Sequence, residues 1–346
     1  MATASIVAVL FVMLSALTLL PALLGFAGPA IDRLGVPFLR HRGLPTGRGF
    51  WFRWSRTVQR RAWLTGAAAV VVLVTLAVPM FSMRLAFTDA GNNPTSLTTR
   101  QAYDLLAEGF GPGFNGPLVV AVAMEGPSSV PVVDRLATAL RSTPGVAEVA
   151  PPRFDGTDRG AVVVAVPTTS PQSAATEQLV GRLRTDVVPG VVRGTGVVAE
   201  IGGETAAGVD ASAFLSGRMY WVVGAVIVLA ILLLMAVFRS VAVPLKAAVM
   251  NLLSVGAAYG VIVAVFQWGW LGALFGIGHT GPIDPWIPIT MFTILFGLSM
   301  DYEVFLLSRI REEWLRTGDS SLAVADGLAG TARVITAAAA VMVLVF

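Results

Sequence analysis

Near the end of the chain an acid, a phenol and a second acid stand in a row inside an apolar run. Asp301, Tyr302 and Glu303 fall within residues 287–307. An acid at mid-membrane costs about 2.5–3.5 kcal/mol on insertion scales, so such residues face a bundle interior or a wet cavity and mark ion or proton pathways. Burial in general favours the protonated form of a carboxyl group, which is the property a proton carrier needs. With the run centred near residue 297, Asp301 sits about 6 Å to the cytoplasmic side of the midplane. Tyr302 is turned about 100° from it and can donate to a carboxylate on a facing helix. Gly297, four residues earlier, shares the face of Asp301 and is read as a position of close helix packing. Glu303 is turned about 200° from Asp301. It lies nearer the cytoplasm, within snorkelling reach of the interface, and is the weaker relay candidate. The alternative is an Asp301 that only hydrogen-bonds a neighbouring helix.

Other chemistries have little to work with. The chain contains no cysteine, which excludes thiolate nucleophiles, disulfides and Cys-ligated metals. With His41 and His279 as its only histidines, it offers no His-rich metal site. There is no Walker sequence and no nucleophile elbow, so neither an enzyme nor a bound cofactor is expected. Residues 111–116 (GPGFNG) do match G-x-G-x-x-G. A dinucleotide site needs that loop after a strand and before a helix. Here the order is reversed, and a Gly/Pro-rich connector is the better reading. Nucleic acid is not an expected partner, because the outer part of the chain has no basic stripe with interleaved aromatics.

The elements that must position the acids follow from hydropathy. Hydrophobic residues make up 55% of the 346, charged residues only 13%, and the mean hydropathy is +0.76. A soluble enzyme of ordinary composition carries about 25% charge. Apolar runs cover residues 5–27, 63–83, 219–238, 243–269 and 287–307, with a last run from about 333. All but the last reach the roughly 20 residues that cross a bilayer. The domain boundaries read from this are a span within 1–28, a basic loop over 29–62, a span over 63–83, an external domain over 84–218, and a bundle over 219–346.

The basic loop carries Arg33, Arg40, Arg42, Arg48, Arg53, Arg56, Arg60 and Arg61 against one acid, Asp32. The positive-inside rule makes it cytoplasmic. Alternation then puts 84–218 outside, the Arg239–Lys246 turn inside, the His279/Asp284 loop outside, and Arg309, Arg311 and Arg316 inside. Phe50, Trp51, Phe52 and Trp54 read as interfacial aromatics, with the arginines in reach of anionic membrane lipid. The first run lacks a basic n-region and is too long for a signal peptide. The last run offers about 14 residues, roughly 21 Å of helix, and reads as an incomplete span of a longer protein.

From Leu118 the external domain reads strand, helix, strand, strand, helix, strand: 118–124, 130–140, 145–149, 161–166, 173–187 and 197–201. A helix over 99–108 with Thr98 as cap precedes it, and 205–216 leads helically into the next span. This βαββαβ order is the split βαβ, or ferredoxin-like, pattern. The fold class is therefore a polytopic α-helical membrane protein with an inserted α+β domain outside the cytoplasm.

Residues 297–313 (GLSMDYEVFLLSRIREE) resemble the signature helix of MmpL-type transporters of the RND (resistance–nodulation–division) superfamily. Residues 14–25 (LSALTLLPALLG) resemble the helix closing the first half of such proteins. Residues 102–117 (AYDLLAEGFGPGFNGP) resemble the start of their second porter domain, and 325–336 (ADGLAGTARVIT) the entry to the eleventh span. The resemblance implies twelve spans in two pseudo-symmetric halves, of which this chain would be spans six to eleven with the second porter domain. It implies a proton relay of Asp-Tyr pairs on spans four and ten. The span-ten pair maps onto Asp301 and Tyr302, and the span-four pair has no counterpart here. It further implies a bacterial plasma-membrane exporter of lipids or other hydrophobic compounds, driven by the proton gradient, whose N-terminal half is a required partner. A homo-oligomer stays open. The alternatives are a non-pumping sterol-sensing or receptor-like relative and a SecDF-like one.

Overall fold

A chain segment in hydrocarbon must satisfy every backbone N–H and C=O internally, and a helix does so along its whole length. The structure, a computed structural model, describes residues 2–28, 50–157, 159–272, 274 and 279–345. Among them, six helices are long and apolar enough to cross a membrane. They are α1 (Ala2–Ala27), α3 (Ala62–Ala77, continued by a tight turn to Ser82), α8 (Glu204–Phe238), α9 (Ala242–Ile262), α10 (Trp286–Thr317) and α11 (Ser320–Val345). Residues 29–49 of the basic loop, with Arg33, Arg40, Arg42 and Arg48, lie outside the described residues. Its remainder forms α2 (Phe50–Arg60), where Phe50 stacks on Trp54 at 6.4 Å.

The last helix differs from expectation. It begins at Ser320 rather than near 333, so it is 26 residues long and sufficient to span. Its start is set by a cap, not by hydropathy: Asp319 accepts from the backbone N–H of Ser321 (2.8 Å) and of Leu322 (3.0 Å). Contacts from α2 hold the same end, with Arg56 donating to Ser321 Oγ at 2.7 Å and Gln59 to Ser321 O at 3.2 Å.

Helix α9 is the hub of the bundle, packing against α3, α8 and α10, while α11 packs on α10 and α2. Glycines let the backbones close. A Cβ at Gly260 would lie 1.8 Å from Leu76 O of α3, and one at Gly327 would lie 2.7 Å from Ile310 Cγ1 of α10. Leu234, Val255, Tyr259, Phe292, Phe296 and Met300 form the buried bundle core.

The outer domain is built on an antiparallel sheet in the order β2-β4-β1-β5, with β3 pairing β4. The strands are β1 (Leu118–Ala123), β2 (Val146–Val149), β3 (Arg153–Phe154), β4 (Gly160–Pro167) and β5 (Val198–Gly202). Register pairs Val120 with Val163 and with Ile201, so the period of two buries Leu118, Val120, Val163, Ala165 and Ile201 on one face. Helices α5 (Val130–Arg141) and α6 (Ala174–Arg182) cover that face through Val133, Leu136, Leu140, Leu179 and Val180. Ser173 caps α6, and the helical path continues through a wider turn into α7 (Val188–Val192). The preceding helix, α4 (Thr98–Phe110), has Leu97 rather than Thr98 at its N-cap, with no side-chain cap bond. The GPGFNG loop joins α4 to β1 and is closely packed at Gly113, where a Cβ would lie 1.8 Å from Pro167 O.

Helix α8 runs 35 residues without interruption. Its Ala206 belongs to the sheet core and its Leu234 to the bundle core. One rod, roughly 50 Å long at 1.5 Å per residue, therefore joins the two.

Candidate functional site

The acids are presented by α10, whose two faces have different fates. Phe292, Phe296 and Met300 form a stripe at helical spacing that is buried against the bundle, with Phe292 and Phe296 stacked at 5.1 Å. Ser299 and Glu303 continue this side toward α9. On α9, Asn251 is 4% exposed. Its Oδ1 accepts from Ser299 Oγ, and its Nδ2 donates to Glu303 Oε2 at 3.4 Å. Farther along, Tyr259 Oη donates to Pro288 O, tying the outer end of α10 to α9.

Asp301 stands on the opposite side of α10 and is exposed among the described residues, and Tyr302 is half-buried beside it. Gly297 shares the open side, where a Cβ would meet nothing within 4 Å. Close helix packing within this chain is made instead at Gly260 and Gly327. The structure thus brings Glu303, but not Asp301, into a hydrogen-bond network across two helices. Asn251 and Ser299 were missed by a search for charges. The available signal was an amide well inside the apolar run 243–269, whose other amide, Gln267, lies near its end, and a hydroxyl four residues before Glu303.

Outside the membrane, the segment after α3 is strapped to both the bundle and the sheet domain. The Arg84 N–H donates to Gln267 Oε1 (2.9 Å), the Ile283 N–H to Arg84 O (2.9 Å), and the Ala86 N–H to Ile283 O (3.1 Å). The Arg84 guanidinium donates to Gln172 O, and Gln172 Nε2 donates to Asp89. Above the strap lies a cavity of about 430 Å³ lined by Phe87, Asp89, Tyr103, Leu106, Val209 and Ser212 among others. Burial, then the Asp89 charge, pushes the Tyr103 hydroxyl up to about 12. Among the described residues no group of His, Asp and Glu could hold a metal ion.

A bundle of membrane-length helices with carboxylates on one of them, joined to an outer domain, defines a multi-pass plasma-membrane protein. The family model that matches is the MMPL family, over residues 99–346. The chain belongs to that family, the MmpL-type transporters of the RND superfamily. It is 39% identical over its full length to the "Heme uptake protein MmpL11" of Mycobacterium tuberculosis, covering 36% of that protein. It is 35% identical, again over its full length, to the "Mycolic acid-containing lipids exporter MmpL11" of Mycolicibacterium smegmatis, covering 37% of it. It is 26% identical over 99% of its length to the "Trehalose monomycolate exporter MmpL3" of M. tuberculosis, covering 39% of it. The chain therefore spans little more than a third of the length of these relatives.

Proposed function

We propose that this chain is the C-terminal half of a proton-motive-force-driven MmpL-type exporter of lipids or other hydrophobic compounds. The observation that carries the reading is Asp301, a carboxyl on an exposed face of a membrane-length helix. In this reading Asp301 loads and releases the proton, Tyr302 organises its hydrogen bonds, and Glu303 is a secondary acid. The open side of α10, with Gly297 and Asp301 on it, receives the N-terminal half. Domain limits follow the same plan: spans within 1–28 and 63–83, a basic cytoplasmic loop over 29–62, a porter domain over 84–218, and a bundle over 219–346. The strand order β2-β4-β1-β5 with antiparallel neighbours supports a ferredoxin-like porter domain. Helix α8 and the Arg84 strap are the two routes by which movement of the spans reaches it. Two of the relatives are named as lipid exporters, which supports a lipid or similarly hydrophobic substrate.

The test replaces Asp301 in the complete transporter. Asp301→Asn keeps the size and the hydrogen-bonding capacity of the side chain but cannot carry a proton. Export under an imposed proton gradient is expected to fall to background with membrane abundance unchanged. Undiminished export would remove Asp301 from the relay.

A further inference from the structure

We propose that Asn251 is a positioning residue for the acids of the membrane. By holding Ser299 and Glu303 against α9, it fixes the rotation of α10 that leaves Asp301 on the opposite, open side. The relevance to transport rests on the relay reading above; the geometry does not.

Ser299 and Glu303 are four residues apart and share a face, whereas Asp301 between them is turned about 200° from each. Both ends of the buried Asn251 amide are used, one by Ser299 and the other by Glu303. Turning α10 by one residue, about 100°, would break both bonds. Away from water, an amide stripped of its partners has no replacement. Tyr259 and Pro288 make a second attachment between the same two helices. Apolar packing of Phe292, Phe296 and Met300 prefers the same side but tolerates rotation by part of a residue. The two directional bonds at Asn251 do not.

The test needs no transport substrate. Dicyclohexylcarbodiimide adds to a protonated carboxyl group and rearranges to a stable N-acylurea; the acid proton ends on nitrogen and nothing leaves. The full chain in phospholipid vesicles is treated with the reagent, and labelling at Asp301 and Glu303 is resolved by mass spectrometry. Asp301 is expected to label faster than Glu303. Asn251→Leu is expected to change the ratio of the two by about threefold to tenfold, the range for losing interhelical hydrogen bonds in a bilayer. Ser299→Ala removes one bond with little change in size, and serves if the Leu variant fails to insert. The exchanged pair, Asn251→Ser with Ser299→Asn, is expected to restore the ratio. An unchanged ratio in both single variants, faster labelling of Glu303 in the unaltered chain, or no rescue by the exchanged pair would each overturn the proposal. The Asp301→Asn export experiment fails or succeeds independently, so the two readings are separable.

Discussion

Tyr103 and Asp89 face each other at the base of the outer domain, and their contact has a consequence for pH. The Tyr103 hydroxyl is raised from 10.0 to about 12, first by burial and then by the Asp89 carboxylate. The neutral phenol is therefore favoured in the folded state. Its contribution to stability is complete below about pH 10 and is lost as pH rises toward 12. Stability of the outer domain is expected to decline across that window, and Tyr103→Phe to flatten the decline. Denaturation at a series of pH values checks this; equal slopes in the two proteins would clear Tyr103 of any role. Single residues such as Asp301 were conspicuous in the sequence, because a charge in an apolar run stands out. Asn251 was not, because an uncharged amide stands out only once its two partners on α10 are seen.

At the scale of elements, the crossing of α3 and α9 depends on the absence of a side chain at Gly260. A Cβ there would meet Leu76 O at 1.8 Å, inside any allowed contact, and the neighbour is backbone that cannot swing aside. Gly260→Val is expected to destabilise the bundle by about 1–3 kcal/mol, the usual range for overpacking. Gly297→Val, at a position with nothing within 4 Å, is expected to change the stability of this chain little. Thermal unfolding of both in the same detergent separates them, and equal losses would show that the close crossing is not what the glycine provides. The close packing expected at Gly297 has no partner within this chain, because a sequence shows a glycine on a helix face but not which face meets a neighbour.

At the scale of the molecule, two buried cores are joined by α8 and by the strap at Arg84. The sheet core contains Leu136 at 0% exposure, and the bundle core contains Phe292 at 2%. Leu136→Ala is expected to cost the outer domain about 2–5 kcal/mol. Faster amide hydrogen exchange should appear in β1, β4 and α5 and leave α9 and α10 protected. Equal deprotection of both regions would mean that the cores melt as one unit.

The apolar runs, most of the strands and helices of the outer domain, though not the two-residue β3, and the family were legible in the sequence, because each is written in local pattern. Bilayer thickness sets the length of an apolar run, and alternation marks a strand. The tertiary structure decided what those patterns leave open. It placed the start of α11 at Ser320, where the Asp319 cap and α2 act and hydropathy is silent. It chose Gly260 and Gly327 for close packing, and it turned Glu303 toward Asn251 while leaving Asp301 exposed. The physical reason is that a helix in hydrocarbon satisfies its own backbone whichever way it is rotated. Only the hydrogen bonds and close contacts made by a second helix fix the rotation.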